Sequence, residues 1–300
     1  MFDSIYQDLQ RQVRHGDVLV RIILVNVGVF LGLLLMSIIV LVAYGTEGEQ
    51  IIENTVVRWL SVPSSGWALV WRPFSVLTYM FLHRSIWHLL SNMLLVYYFG
   101  RIIGDLCGRA HTVPIYLLGG LAGAFFFILS SFLFPVGSYC YGASASAMAM
   151  VLAAATLSPD YSMRLIVVGD VKIKYIAIFL LVLDLVSIQA LSNTGGHIAH
   201  LGGAAMGWFF VKQLQSGRDL SAPLYTLWEK ISNIVEPKPH LRVERNDAPT
   251  PPKPTRTRSP QQDDDQASID KILEKIKANG YDNLSADEKF FLFNASNKGG

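Results

Sequence analysis

This sequence predicts an all-α, polytopic membrane protein with a bundle of six transmembrane helices, on three observations. First, 51% of the 300 residues are hydrophobic and only 16% are charged, against about a quarter charged in an ordinary soluble domain. Second, the charges are unevenly spread: of 48 Asp, Glu, Lys and Arg residues, 16 fall within residues 22–214 and 32 outside that stretch. Third, apolar runs of spanning length recur along the core, with Lys and Arg collected between alternate pairs. The composition implies a lipid bilayer as partner. A net charge of +2 gives nucleic acid no electrostatic footing, so no nucleic-acid partner is expected.

The first run, residues 22–44, is long enough to cross a bilayer at 1.5 Å per residue. Residues 1–20 before it are polar and contain no apolar stretch with a small-residue cleavage site, so no cleavable signal peptide is expected. Residues 46–86 mix Glu47, Glu49, Glu53, Arg58, Arg72 and Arg84 with Trp59, Trp67 and Trp71. That mixture suits an interfacial loop with short amphipathic helices at headgroup depth. Further spans are expected at 87–106, 112–134, 142–157, 173–191 and 195–213.

Orientation follows from the short loops. Arg11, Arg14 and Arg21, then Arg101 and Arg109, then Arg164, Lys172 and Lys174, then Lys212 and Arg218 all fall on one side of a six-span chain. The positive-inside rule makes that side cytoplasmic, with both termini there, and a bacterial inner (plasma) membrane is the expected location. The segment 46–86 is the exception, with three Arg outside beside three Glu. Cys107 and Cys140 then face opposite sides, too far apart for a disulfide.

The fourth span supplies about 16 residues, roughly 24 Å of helix, less than a ~30 Å hydrocarbon core. A loop-like PVGSYCYGAS precedes it. Irregular backbone below the membrane surface must be buried in protein or wetted by a cavity, so this span marks a candidate site. Glycines at four-residue spacing, at 100, 104 and 108, at 119 and 123, and at 203 and 207, put small residues on single helix faces where backbones pack closely.

Beyond residue 214 the character changes. Residues 246–266 are Pro-rich, charged and free of large apolar residues, and read as a disordered linker. Ile269, Ile272, Leu273 and Ile276 then show helical spacing, closed by Gly280. Ser285 and Glu288 form a capping-box pattern before a second short helix. The expected organisation is a cytoplasmic segment (1–20), a six-span membrane domain (21–214), a juxtamembrane segment (215–245), the linker (246–266) and a small helical segment (267–300). The last is too short for a large core and is expected to dock on a partner or self-associate.

Ionisable groups inside a membrane are expensive and mark function by default. Four of the seven histidines, His83, His88, His197 and His200, lie in or at the apolar core. With the loop before span four outside, Ser144 lies a few residues below the outer surface. His200 lies about five residues into span six, roughly 8 Å deep. His88 and Asn92 occupy the first two turns of span two. One Ser, two His and an Asn from three spans thus converge on one layer in the outer half of the bilayer.

A hydroxyl is a poor nucleophile until a base takes its proton, and a neutral imidazole within hydrogen-bond reach is the usual base. A tetrahedral oxyanion needs donors aimed at it. His88 and Asn92, at i and i+4, share one helix face, and the Ser144 amide at a helix start adds a third donor. These are the parts of an acyl-transfer site opening to the outside.

The residues Trp71-Arg72, His83-x4-His88-x3-Asn92, Gly142-Ala143-Ser144 and His200-x2-Gly203-x3-Gly207, in this order, resemble the rhomboid family of intramembrane serine proteases over about residues 20–215. The resemblance implies a rhomboid-like bundle in which Ser144 is the nucleophile and His200 the general base of a dyad. It makes His88, Asn92 and the Ser144 amide the oxyanion donors. Gly203 and Gly207 would let the sixth helix reach the fourth. Trp71 and Arg72 would sit in the external loop, and His83 and Gly142 at supporting positions. The implied activity is hydrolysis of peptide bonds in or near transmembrane segments of membrane-protein substrates, with no metal and no cofactor.

One position departs from the family's G-x-S-G. Ala145 follows the serine, and its methyl is expected to crowd either the oxyanion pocket or a helix contact. A second reading therefore stands beside the first: a catalytically inactive rhomboid-like protein that binds transmembrane clients for trafficking or degradation. A transporter would require a polar file across the bilayer or an internal repeat, and neither is visible. Ser146 competes weakly with Ser144, since it points to another face. A metal site among His83, His88, His197 and His200 is conceivable, but no H-E-x-x-H occurs and no carboxylate accompanies them in a ligand pattern. His197 reads as a rim residue. Asp184, in span five a turn or two below its outer end, could orient His200 as a third member, but the resemblance implies a dyad, and Asp184 reads as a buried hydrogen-bonding or protonated carboxyl.

Overall fold

A computed structural model describes residues 18–165, 168–190, 193–235 and 260–297. The expected N-terminal segment, apart from residues 18–20, and the part of the expected linker before Pro260 lie outside them. The chain divides into two units, Met1–Lys238 and Pro239–Gly300.

In the first unit each predicted apolar run forms a helix: α1 (Val18–Tyr44), α2 (Ile86–Cys107), α3 (Thr112–Ser131), α4 (Ser144–Leu157), α5 (Ile173–Gln189) and α6 (Thr194–Gln215). Among the described residues, three helical stretches are long and apolar enough to cross a membrane, by length and composition: Val18–Leu60, Ile86–Cys107 and Arg109–Ser131. A further helix, α7 (Ala222–Val235), ends the described part of this unit.

The helix α4 forms the centre. Residues Ala145 through Val151 are all buried, and neighbours α2, α3 and α6 pack around it. A helix buried all round needs apolar residues on every face, and its Ala-rich sequence also keeps the neighbours close. Backbones approach where side chains are missing. A methyl on Gly207 would stand 2.0 Å from the Ala149 carbonyl oxygen, and one on Gly119 would stand 2.2 Å from the Ala149 methyl. Phe99, Tyr116, Phe127 and Phe210 fill the surrounding core.

After α1 the chain reverses. Gly45 takes φ +59°, and the next helical run folds back until Gly48 lies against the backbone of Val40. Leu33, Ile52, Val57 and Leu82 form a small second core beneath this loop. Two of the three Arg of the 46–86 segment, Arg72 and Arg84, find local partners. Arg84 pairs with Glu49 at 3.3 Å and Glu53 at 3.5 Å, while Arg72 donates to the Arg58 carbonyl and lies over the Trp59 ring. Trp71 is exposed and meets Trp67 edge-on. Tyr139 donates to Glu53, and that carboxylate pushes the Tyr139 phenol up to about 12.

Among the described residues, twelve in the expected loop regions form four short strands that no periodicity announced. The two-residue strand β1 (Val62–Pro63) pairs antiparallel with β2 (Tyr139–Cys140), just ahead of α4. A hairpin of β3 (Ser162–Leu165) and β4 (Gly169–Lys172) joins α4 to α5.

In the second unit, α8 (Pro260–Asn279) and α9 (Ala286–Asn297) form a helical pair. Here the expected linker is too long by seven residues, because α8 begins at Pro260 rather than after 266. Proline suits the first helical turn. The capping box forms as read: Ser285 N donates to Glu288 at 2.9 Å and Glu288 N to Ser285 Oγ at 3.3 Å. Ile272 and Leu284 supply its small core.

Candidate active site

The layer of polar groups expected below the outer surface is built from α2, α4, α5, α6 and the loop before α4. Gly142 starts it. Its φ of +123° belongs to the region that favours glycine, and a methyl there would lie 2.7 Å from His88 Cε1 and 3.7 Å from Ser144 Oγ. His88 and Ser144 thus flank Gly142 closely. The Gly142 amide donates to the Tyr79 carbonyl at 2.8 Å, which holds the turn that presents Ser144 as the first residue of α4.

Ser144 and His200 come together across the α4–α6 contact. The Ser144 hydroxyl donates to His200 Nε2 at 2.7 Å. The approach depends on Gly203, where a methyl would fall 2.0 Å from the Ala145 carbonyl oxygen. Ala145 is itself 1% exposed. Its methyl fills the notch left by Gly123 on α3, where an added methyl would come within 2.4 Å of it. Of the two positions expected for that methyl, the helix contact is the one occupied.

Asp184 is buried and hydrogen-bonded as expected, and it also takes the orienting position that the dyad reading set aside, beneath both histidines. His200 Nδ1 donates to Asp184 Oδ1 at 2.8 Å and His197 Nδ1 donates to the same oxygen at 2.7 Å. A carboxylate oxygen carries two lone pairs, so one atom serves both. With its proton on Nδ1, His200 has a bare Nε2 facing the serine. Sequence reasoning raised the carboxyl on α5 as a partner for His200 but set it aside, because its bearing depends on how α5 is rotated against α6. The statement that no carboxylate accompanies the histidines fails for the same reason.

His83 is fully buried, and its Nε2 lies 3.3 Å from Asn92 Nδ2 and 3.4 Å from the Ala143 amide. It ties the oxyanion candidate on α2 to the backbone that leads into Ser144. Asn92 is therefore engaged by His83 and makes no hydrogen bond to Ser144 among the described residues. Ser146 is buried with its hydroxyl unpartnered, against α3 at Gly120, and takes no part in the constellation.

Residues 69–215 match the family model of the rhomboid domain. Residues 259–298 match a family of unknown function, DUF6576. The chain is 29% identical over 217 residues to the RHOMBOID-like protein 12, mitochondrial, of Arabidopsis thaliana, covering 67% of this chain and 60% of the relative. It is 26% identical over 169 residues to the presenilin-associated rhomboid-like protein A, mitochondrial, of Danio rerio, covering 53% and 42%. The chain thus spans about half the length of these curated relatives. The helices that carry the constellation, α2 and α4–α6, lie within the stretch of the chain that matches the rhomboid domain.

Proposed function

We propose that the protein is an intramembrane serine endopeptidase that hydrolyses peptide bonds in or near transmembrane segments of membrane-protein substrates. The observation that carries this reading is the hydrogen-bonded line from Ser144 Oγ through His200 to Asp184. In the reaction, Ser144 Oγ attacks the scissile carbonyl while His200 Nε2 takes its proton. The same imidazole then returns that proton to the leaving amine, and water repeats the cycle to free the acyl group. Asp184 acts as a positioning residue that keeps the proton on Nδ1 and stabilises the imidazolium. His88, the Ser144 amide and, once released from His83, Asn92 are the donors for the oxyanion. Removing one such donor typically lowers kcat about 10²- to 10³-fold.

All six helices α1–α6 cross the bilayer in this reading, with the Ser144 layer opening to the outside and both ends of the chain cytoplasmic. The loop charges carry the orientation; a bacterial inner membrane is the compartment expected from the sequence, whereas the two relatives are named as mitochondrial. Reporter fusions after Lys212 and at Ser138 test the orientation. A cytoplasmic signal at 138 would overturn it.

The test of activity is cleavage of a purified transmembrane reporter in detergent or liposomes. Asp184→Asn is expected to lower kcat by on the order of 10²–10⁴ with little change in KM. An equal rise in KM alone would remove Asp184 from the chemistry. Ala145→Gly is expected to leave the rate unchanged and to cost roughly 1 kcal/mol of thermal stability, through a lost methyl and a freer backbone. The inactive, client-binding reading rested on Ala145, whose methyl packs on α3 instead of entering the pocket. Deletion of residues 246–300 is expected to spare cleavage in detergent. Loss of activity on that deletion would make the second unit integral.

A further inference from the structure

The two imidazoles and the carboxylate present a cluster that the proposed hydrolysis does not use in full. One donor atom each from Asp184, His197 and His200 lies within 4.8 Å of the others. Both histidine side chains are 20% exposed and the carboxylate is 8% exposed, so the cluster is buried on one side and reachable on the other. We infer that Asp184, His197 and His200 form an inhibitory site for a divalent transition metal, Zn²⁺ in the first instance. The inhibitory part of this inference rests on the protease reading above.

The ligand chemistry fits. Two imidazoles and a carboxylate are a common donor set for zinc with the fourth position left to water. In tetrahedral geometry at a bond length of about 2.0–2.1 Å, ligand atoms stand about 3.3 Å apart. The present separations of 2.7 and 2.8 Å are those of hydrogen bonds. A withdrawal of the carboxylate by roughly half an ångström opens the space. Metal would replace the two shared protons as the link between the groups.

The consequence for chemistry follows from the tautomer. Neutral imidazole carries one proton, on Nδ1 or on Nε2. Zinc on Nδ1 of His200 sends that proton to Nε2, the atom that must accept from Ser144. The proton moves within the ring system by way of solvent, so the site gains a metal and loses none. His200 then donates where it formerly accepted, and Ser144 is no longer activated. His197 has no step of its own in the proposed hydrolysis, which separates the metal effect from the catalytic one.

The test uses full-length protein and buffered free Zn²⁺. Wild type is expected to lose cleavage of the transmembrane reporter with rising zinc and to recover it with EDTA. His197→Gln is expected to keep basal cleavage and to need at least about tenfold more zinc, by analogy with the losses on removing zinc-site partners. His197→Asn serves as a second variant should the first not fold. Direct binding is read separately on Ser144→Ala by competition with a chromophoric chelator, with one zinc per chain expected and a weaker site when His197→Gln is added. Unchanged zinc sensitivity or unchanged binding in both His197 variants would overturn the site. Zinc bound by Ser144→Ala with no cleavage by wild type under any condition would sink the protease reading and leave the metal site standing.

Discussion

Ser144→Ala is expected to abolish cleavage of a transmembrane reporter, by a factor of at least ~10⁴ in kcat, as when a serine nucleophile is removed elsewhere. The protein should remain folded, because the hydroxyl makes one hydrogen bond, to His200 Nε2, and the substitution leaves the start of α4 intact. A fluorophosphonate should label wild type at Ser144, label His200→Ala poorly and fail to label Ser144→Ala. The pair of measurements separates the nucleophile from its base. Cleavage that persists in Ser144→Ala at the wild-type rate would end the assignment, and labelling that moves to Ser146 would redirect it. The second outcome conflicts with the geometry, since Ser146 faces α3 at Gly120 and makes no hydrogen bond to an imidazole among the described residues.

The second large effect is structural. Gly203→Val should lose both activity and fold, because even the first side-chain atom at 203 would sit 2.0 Å from the Ala145 carbonyl oxygen. That obstacle is backbone in a fully packed helix and cannot rotate away. Overpacking of this kind costs on the order of 3 kcal/mol or more, and here it also pushes His200 away from Ser144. Gly32→Ala is the matched control. Nothing lies within 4 Å of a methyl at Gly32 on α1, so replacing it should raise helix stability by about 0.5–1 kcal/mol. Thermal melting in detergent measures both. A Gly203→Val protein that melts like wild type would show that α4 and α6 do not pack as described.

What the sequence made legible was depth. Apolar runs put Ser144, His88, Asn92 and His200 in one expected layer because the rise of a helix is fixed, and the resemblance implied the α4–α6 approach at Gly203 and Gly207. Azimuth was illegible. Whether Asp184 points at His200 depends on the rotation of α5, which hydropathy does not record, because most of its other faces are equally apolar. The same blindness hid the contact between Ala145 and Gly123, which lie on different helices and whose spacing carries no signal. The pairing of β1 with β2 escaped for another reason. Two residues per strand are too few for alternation, and the partners lie far apart along the chain. The start of α8 escaped because Pro and Asp read as linker by composition, although proline is favourable in a first helical turn.

The pairing of β1 and β2 has a practical consequence for anyone recombining this protein. Ser64 N donates to the Ser138 carbonyl at 3.0 Å, Ser131 Oγ to the Ser64 carbonyl at 2.8 Å, and Gly142 N to the Tyr79 carbonyl at 2.8 Å. The stretch leading into Ser144 is therefore sewn at both of its ends to the stretch between α1 and α2. Residues 61–81 and 131–143 form one exchangeable cassette despite their separation in sequence. A chimera that swaps either alone would import half a seam, whereas one that swaps both carries the approach to the serine across intact.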